Sequence, residues 1–158
     1  MTVSFYANII STISHKWVGH PGALNHQNID EIPAYRVGMP YTIDCKNYNS
    51  GYIDQLDVYG VSFTPLPADA TNIKMGIGTR MRTLRHFGLF YAHLGIYNGS
   101  DHWYRVGEVL DPGHWKPICT GIISSWSRNQ VNLISQVKLK ADTNPIDVAA
   151  LYLYIQYD

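Results

Sequence analysis

The chain has 158 residues, with 12 lysines and arginines against 12 aspartates and glutamates, and so carries no net charge at neutral pH. That length makes one domain with room for a full apolar core, and the zero balance lacks the clustered positive surplus that nucleic-acid binding needs. Charged residues make up only 15% against 13% aromatics, a balance that suits contact with sugars, protein surfaces or membrane interfaces better than carboxylate-driven catalysis.

The first predicted element is residues 5–17, FYANIISTISHKW. At 100° per residue Phe5, Tyr6, Ile9, Ile10, Ile13 and Trp17 fall within about 140° of one another, with Asn8, Ser11, Ser14 and His15 opposite, which predicts an amphipathic helix. Residues 18–33, punctuated by Pro21, Gly22 and Pro33, read as a loop. The division that follows is an N-terminal amphipathic segment and loop over residues 1–34 and a β domain over residues 35–158. From Tyr35 onward short strands are predicted. YTIDC (41–45) is one, YIDQLDVYGVSF (52–63) is a long one with Gly60 as a bulge, and NIKMGIG (72–78) is another. FGLFYAHLGIY (87–97) and HWYRVGEVL (102–110) follow. QVNLISQVKLK (130–140) sets Val131, Leu133, Val137 and Leu139 against polar partners. DVAALYLYIQY (147–157) sets Leu151, Leu153 and Ile155 against Tyr152 and Tyr154. Short, evenly spaced strands predict a mainly β fold, a single β-sandwich with an N-terminal amphipathic helix and few other helices.

The pair 87–97 and 102–110 reads as a hairpin about Asn98-Gly99, a dipeptide suited to a two-residue turn. A two-residue turn, or a four-residue loop Asn98 to Asp101, puts Leu94 and Ile96 on one face with Trp103, and His93 and Tyr97 on the other with His102 and Tyr104. A three-residue loop breaks this assignment. Tyr97, Ser100, His102 and Tyr104 are then an aromatic and polar patch for binding, or else side chains packed beneath another element. Asn98-Gly99-Ser100 is also a glycosylation sequon, of consequence only in a secretory pathway.

Catalytic signals are missing. His15, His20 and His26 are spaced by five and six, which suits no helix or strand face, so no metal site is expected. Cys45 and Cys119 match no metal spacing, the sequence does not pair them, and Cys119 reads as a buried thiol. There is no nucleophile elbow, zinc-protease motif, P-loop or dinucleotide fingerprint. The expectation is a non-enzyme without cofactor. The basic run Arg80, Arg82, Arg85, His86 reads as a solvated edge, with contact to an anionic headgroup as the alternative. No signal peptide is recognisable, and no apolar run reaches 18 residues. His86, His93, His102 and His114 lie around the proposed patch and predict binding that changes between about pH 5 and 7.

The hairpin GLFYAHLGIYNGSDHWYRVGEV, Gly88 to Val109, resembles the corresponding stretch of the actinoporins, the sea anemone pore-forming cytolysins, through Gly88, Tyr97, Asn98, Trp103 and Val106. KNYNSGYIDQLDVYGVSFT is similar upstream through Asn47, Gly51, Leu56, Tyr59 and Thr64, and VKLKADTNPIDVAALYLYI resembles the family's last hairpin. Fungal fruit-body lectins share the family's sandwich but lack the inserting helix and bind sugars. The resemblance implies a secreted or released soluble toxin that docks on lipid headgroups, oligomerises on the membrane and inserts its N-terminal helix. A carbohydrate-binding lectin without pore formation is the alternative, and a capsid or tail protein a third class. The headgroup- or glycan-binding set is Ser62, Tyr97, Asn98, Ser100, His102, Trp103 and Tyr104, and the membrane-inserting set is Phe5, Tyr6, Ile9, Ile10, Ile13 and Trp17. Leu94-Gly95-Ile96 and Gly99-Ser100 depart from the family where it contacts headgroups, so no particular lipid is implied.

Overall fold

The computed structural model describes residues 1–20, 29, 48–83, 87–142 and 145–158. They form eleven strands and one short helix in two antiparallel sheets. The first sheet holds β1 (Val3–Tyr6), β3 (Val18–His20), β4 (Tyr48–Gly51), β6 (Lys74–Arg82), β9 (Lys116–Cys119) and β11 (Ile146–Tyr157), in the order β3-β4-β11-β6-β9 with β1 also on β11. The second holds β2 (Asn8–Ser14), β5 (Leu56–Ser62), β7 (Gly88–Tyr97), β8 (Asp101–Leu110) and β10 (Gln136–Ala141), in the order β2-β5-β10-β7-β8. Ile77, Leu153 and Ile155 of the first sheet and Leu94, Ile96 and Leu139 of the second are fully buried in one cluster. Period-two alternation builds it: on β11, Leu151, Leu153 and Ile155 point inward while Tyr152 and Tyr154 stay half-exposed on the outer face.

The N-terminal helix is not formed. Residues 3–6 are β1 and residues 8–14 are β2, and the chain passes from one sheet to the other at Ala7, whose N–H donates to the Leu153 carbonyl at 2.9 Å. Against β5, the β2 register advances two residues for one at Ile9/Ser11 and again at Thr12/Ser14. Ile10 and Ile13 are therefore the extra residues of two bulges, and they are 58% and 53% exposed. The sheet crossing and the two bulges stretch the apolar spacing from two towards four residues, which imitates a helical stripe. The six side chains expected on one inserting face are scattered. Phe5 packs on Phe63 at the core's margin, Ile9 and Trp17 are buried, and Tyr6 points out from the first sheet. Because β2 is an edge strand, the bulges also blunt it against pairing with other chains.

Other expectations change locally. QVNLISQVKLK opens with α1 (Arg128–Asn132) before β10 begins. The helix starts in a capping box: the Gln130 N–H donates to Ser127 Oγ at 3.2 Å and the Ser127 N–H to Gln130 Oε1 at 2.8 Å. Val131 is buried beneath it, while Leu133 is exposed. The bulge assigned to Gly60 belongs to β2, since Gly60 pairs in regular register with Gln136. Residues 18–20 are strand, not loop. Cys119 is exposed, not buried. YTIDC, Cys45, His26, Arg85, His86 and the Pro21, Gly22 and Pro33 punctuation lie outside the described residues. Among the described residues no helix is long and apolar enough to cross a membrane.

Candidate functional site

The β7–β8 hairpin closes through three residues, Asn98, Gly99 and Ser100, because Tyr97 pairs with Asp101. Gly99, at φ +106°, supplies the backbone geometry. An odd loop inverts the parity expected from Asn-Gly. Leu94 now stands opposite Tyr104 and Ile96 opposite His102 on the inner side, while Gly95 stands opposite Trp103 and His93 opposite Arg105 on the outer side.

The predicted patch is thereby divided. His102 Nε2 lies 3.1 Å from Asn98 Oδ1 and 3.3 Å from Ser100 Oγ, and its ring packs on Trp126 at 4.5 Å. Asn98 Nδ2 also donates to the Gln130 carbonyl of α1 at 3.3 Å. Tyr104 packs against the core, where burial raises its phenol pKa while a hydrogen bond with Trp126 opposes the shift. Asn98, Ser100, His102 and Tyr104 thus clasp the hairpin to the Trp126 segment and α1, which is packing beneath another element. Tyr97 and Trp103 remain on the outer face. Ser62 is exposed at the end of β5, near the same end of the sheet but two strands away.

The outer face is richer than expected because β10 runs beside β7. Trp103, 39% exposed, lies directly over Gly95: a Cβ there would sit 2.9 Å from the indole and 3.0 Å from Lys138 Cβ. Tyr91 covers Gly107 in the same way, its ring 2.4 Å from where a Cβ would stand. In both cross-strand pairs a glycine lets an aromatic ring lie flat on the sheet. Charges surround the rings. Lys140 Nζ stands 5.5 Å from the Trp103 ring and Lys138 Nζ 5.1 Å from that of Tyr97, while Arg105 stacks 3.7 Å from Tyr91. Lys138 pairs with Asp101 at 2.6 Å, and Asp142 accepts from Arg105 Nε at 2.7 Å with His93 Nε2 at 3.3 Å. The sequence held a signal for this set: the alternating lysines at 138 and 140 face the same way as His93, Gly95 and Tyr97 once β10 is placed beside β7.

Of the four histidines expected to make binding pH-dependent, only His93 belongs to this face. His102 is in the clasp, His114 follows the far end of β8, and His86 is outside the described residues. Arg82 of the basic run is structural, bonded to Asp147 at 2.9 Å with its guanidinium 4.6 Å from the Tyr48 ring and 4.5 Å from that of Trp115. Among the described residues no group of three or more His, Cys, Asp or Glu side chains is placed to hold a metal.

The Arg105 hydrogen bond holds the Asp142 carboxyl below its usual range, helped by the Arg105 charge and by His93 and opposed by burial. A depressed folded pKa means that this contribution is present above the unfolded value of about 3.9 and is lost as pH falls through the lower folded value. Asp142→Asn is therefore expected to lower the urea midpoint at pH 6, with the difference from the parent closing as pH falls below the unfolded value of about 3.9 and through the lower folded one. A constant difference across that range would show that Asp142 acts through something other than its charge.

No protein-family model matches the chain, and no curated protein is significantly similar to it.

Proposed function

We propose that the protein is a carbohydrate-binding protein of lectin type on a β-sandwich, with the Trp103 face as its glycan platform. The observation that carries this is the indole of Trp103, held flat on Gly95 and ringed by Lys138, Lys140, His93 and Asp101. A sugar ring offers an apolar C–H face for the indole and a rim of hydroxyls for charged donors and acceptors, the combination of an apolar surface with few directed polar groups that small-ligand sites use. Lys138, Arg105 and His93 already face the Asp101 and Asp142 carboxylates, and those pairs need no counter-ion from the ligand. Trp103→Ala is expected to weaken binding to an immobilised panel of neutral and acidic oligosaccharides by about 10- to 100-fold, as for a central aromatic anchor. Its thermal midpoint should stay near the parent's. Unchanged glycan binding in this variant would remove the proposal.

Membrane docking is the second reading, favoured by the exposed apolar side chains of Phe87, Leu89 and Val109, the last two a cross-strand pair at the far end of the same face. The resemblance to pore-forming cytolysins points the same way. Insertion by the N-terminal segment would have to release β1 and β2 from both sheets, which docking alone does not require. Flotation with phosphocholine vesicles separates the two: Leu89→Ser should reduce vesicle binding only if docking on lipid occurs, and should leave glycan binding intact.

A further inference from the structure

The geometry points to a second carbohydrate site, a tyrosine-lined groove on the outer face of the first sheet that takes a neutral disaccharide or longer saccharide. Tyr6 of β1 meets Tyr152 and Tyr154 of β11 at ring-centroid distances of 5.5 and 5.6 Å, the first pair edge to face at 85°. The room for the Tyr152 ring comes from Gly78 on β6. Tyr152 lies over Gly78, where a Cβ would meet the ring at 2.2 Å, and Gly76 stands opposite Tyr154. The result is a cavity of about 400 Å³ with Ile122, 75% exposed, at its rim, within the roughly 300–1,000 Å³ of small-molecule sites.

Its polar atoms are already oriented. The Tyr154 hydroxyl donates to Gln156 Oε1 at 2.8 Å, which engages the amide oxygen, so that the Gln156 amide brings its nitrogen as donor and the phenol its oxygen as acceptor. The Tyr152 hydroxyl lies 2.9 Å from Cys119 Sγ, and Thr120 Oγ1 accepts from the Ile77 N–H at 3.1 Å, keeping its own proton for a ligand. Aromatic faces with fixed hydroxyl and amide partners match a pyranose. Length and charge follow from Lys74, which lines this cavity and also a neighbouring one of about 570 Å³ running to Trp126 and Asp158. The two cavities share the Lys74 side chain, so a saccharide longer than one ring can run from one toward the other. Lys74 lines both cavities, and the Asp158 carboxylate lines the second, held below its usual pKa by hydrogen bonds from Thr2 and Asn72. One cation and one carboxylate along the two cavities leave no net charge for a ligand to neutralise, so a neutral saccharide fits.

The two sheets share one core, so the groove and the Trp103 face look in opposite directions. A single chain would then carry two sites and cross-link glycan-bearing surfaces without oligomerising; this bivalency rests on the glycan reading of the Trp103 face, whereas the groove does not.

The test uses Gly76→Leu. A Cβ at Gly76 meets only Thr120 Oγ1 at 3.6 Å and the Gly121 carbonyl at 3.9 Å, ordinary contacts, so the variant should fold while its side chain fills the groove floor. Parent, Gly76→Leu, Tyr154→Phe and Trp103→Ala are titrated calorimetrically with maltose, cellobiose, lactose and chitobiose, with thermal midpoints confirming the fold. The expected result is that at least one disaccharide binds the parent, Gly76→Leu weakens it by about tenfold or more, Tyr154→Phe weakens it less, and Trp103→Ala leaves it unchanged. No saturable binding by any of the four to the parent, or unchanged affinity in Gly76→Leu, overturns the groove. Loss of immobilised-glycan binding in Trp103→Ala alone would leave the first site standing without the second, and the reverse pattern would leave the groove standing without the first.

Discussion

Replacing Asp57 with alanine is expected to remove about 3–5 kcal/mol of folding stability, which for a domain of this size lowers the thermal midpoint by roughly 10 °C. Asp57 is fully buried on the inner side of β5. One carboxylate oxygen accepts from the backbone N–H groups of Lys16 and Trp17 at 2.7 and 2.9 Å, and the other from the Tyr59 hydroxyl at 2.6 Å. Tyr59 receives in turn from Asn49 Nδ2 of β4 at 3.1 Å. The network ties β5 of the second sheet to β4 of the first and to the turn after β2. Burial first, and then the Asp57 charge, push the Tyr59 phenol pKa well above its ordinary value, so the hydroxyl keeps the proton it donates. Alanine strips two buried donors, the Trp17 N–H and the Tyr59 hydroxyl, and the part-buried Lys16 N–H of their acceptor, and each buried donor left unsatisfied costs about 1–3 kcal/mol. Asp57→Asn should cost less, about 1–3 kcal/mol, because Oδ1 still accepts from the two N–H groups while its Nδ2 faces a Tyr59 hydroxyl left without an acceptor. Urea unfolding followed by tryptophan fluorescence gives both values. A loss below about 1 kcal/mol in Asp57→Ala would mean that water replaces the carboxylate and the network is not what joins the sheets.

What the sequence made legible follows the regularity of each element. β8 alternates over its ten residues and β7 over all but Gly95, whereas β11 is buried throughout from Ile146 to Leu151 and alternates only beyond that, where its faces were readable to the residue. On the hairpin, strand existence was readable but side was not, because the side depends on loop parity, and Asn98-Gly99 fits the two-residue loop while the chain closes through Asn98, Gly99 and Ser100. One residue of loop length moved Trp103 from the core side to the surface and Tyr104 the other way. At the N-terminus two bulges and a change of sheet within twelve residues left no period of two to detect, and the residual spacing favoured a helix. The lysines of the candidate site come from β10, some forty residues downstream of β7, a neighbour that only pairing supplies. The helix at residues 128–132 was hidden for the opposite reason: its capping box Ser127–Gln130 was in view, but its five residues are too few to show a helical period.

Gly51→Ala is expected to cost about 2–4 kcal/mol, a large effect for one added methyl group, because that methyl has nowhere to go. A Cβ on Gly51 would stand 2.1 Å from Trp17 Cε2 and 2.3 Å from Cδ2, far inside van der Waals contact with the fused edge of the indole. The indole cannot tilt aside. It is 2% exposed, its Nε1 donates to the Gln55 carbonyl at 2.8 Å, and its backbone N–H is held by Asp57. Trp17→Ala should cost about 3–5 kcal/mol through lost burial and an emptied site, and Trp17→Phe about 1–2 kcal/mol, mostly from the Gln55 carbonyl left without its donor. The decisive comparison is the pair of substitutions together. With the indole gone, the Gly51 methyl enters the space it vacates, so Gly51→Ala in the Trp17→Ala background should cost less than about 0.5 kcal/mol, and the double variant should be scarcely less stable than Trp17→Ala alone. Urea midpoints of the four proteins measure this coupling. If Gly51→Ala costs the same in both backgrounds, the glycine answers to a backbone requirement of β4 rather than to the ring lying on it, and Trp17 is seated by its hydrogen bonds alone.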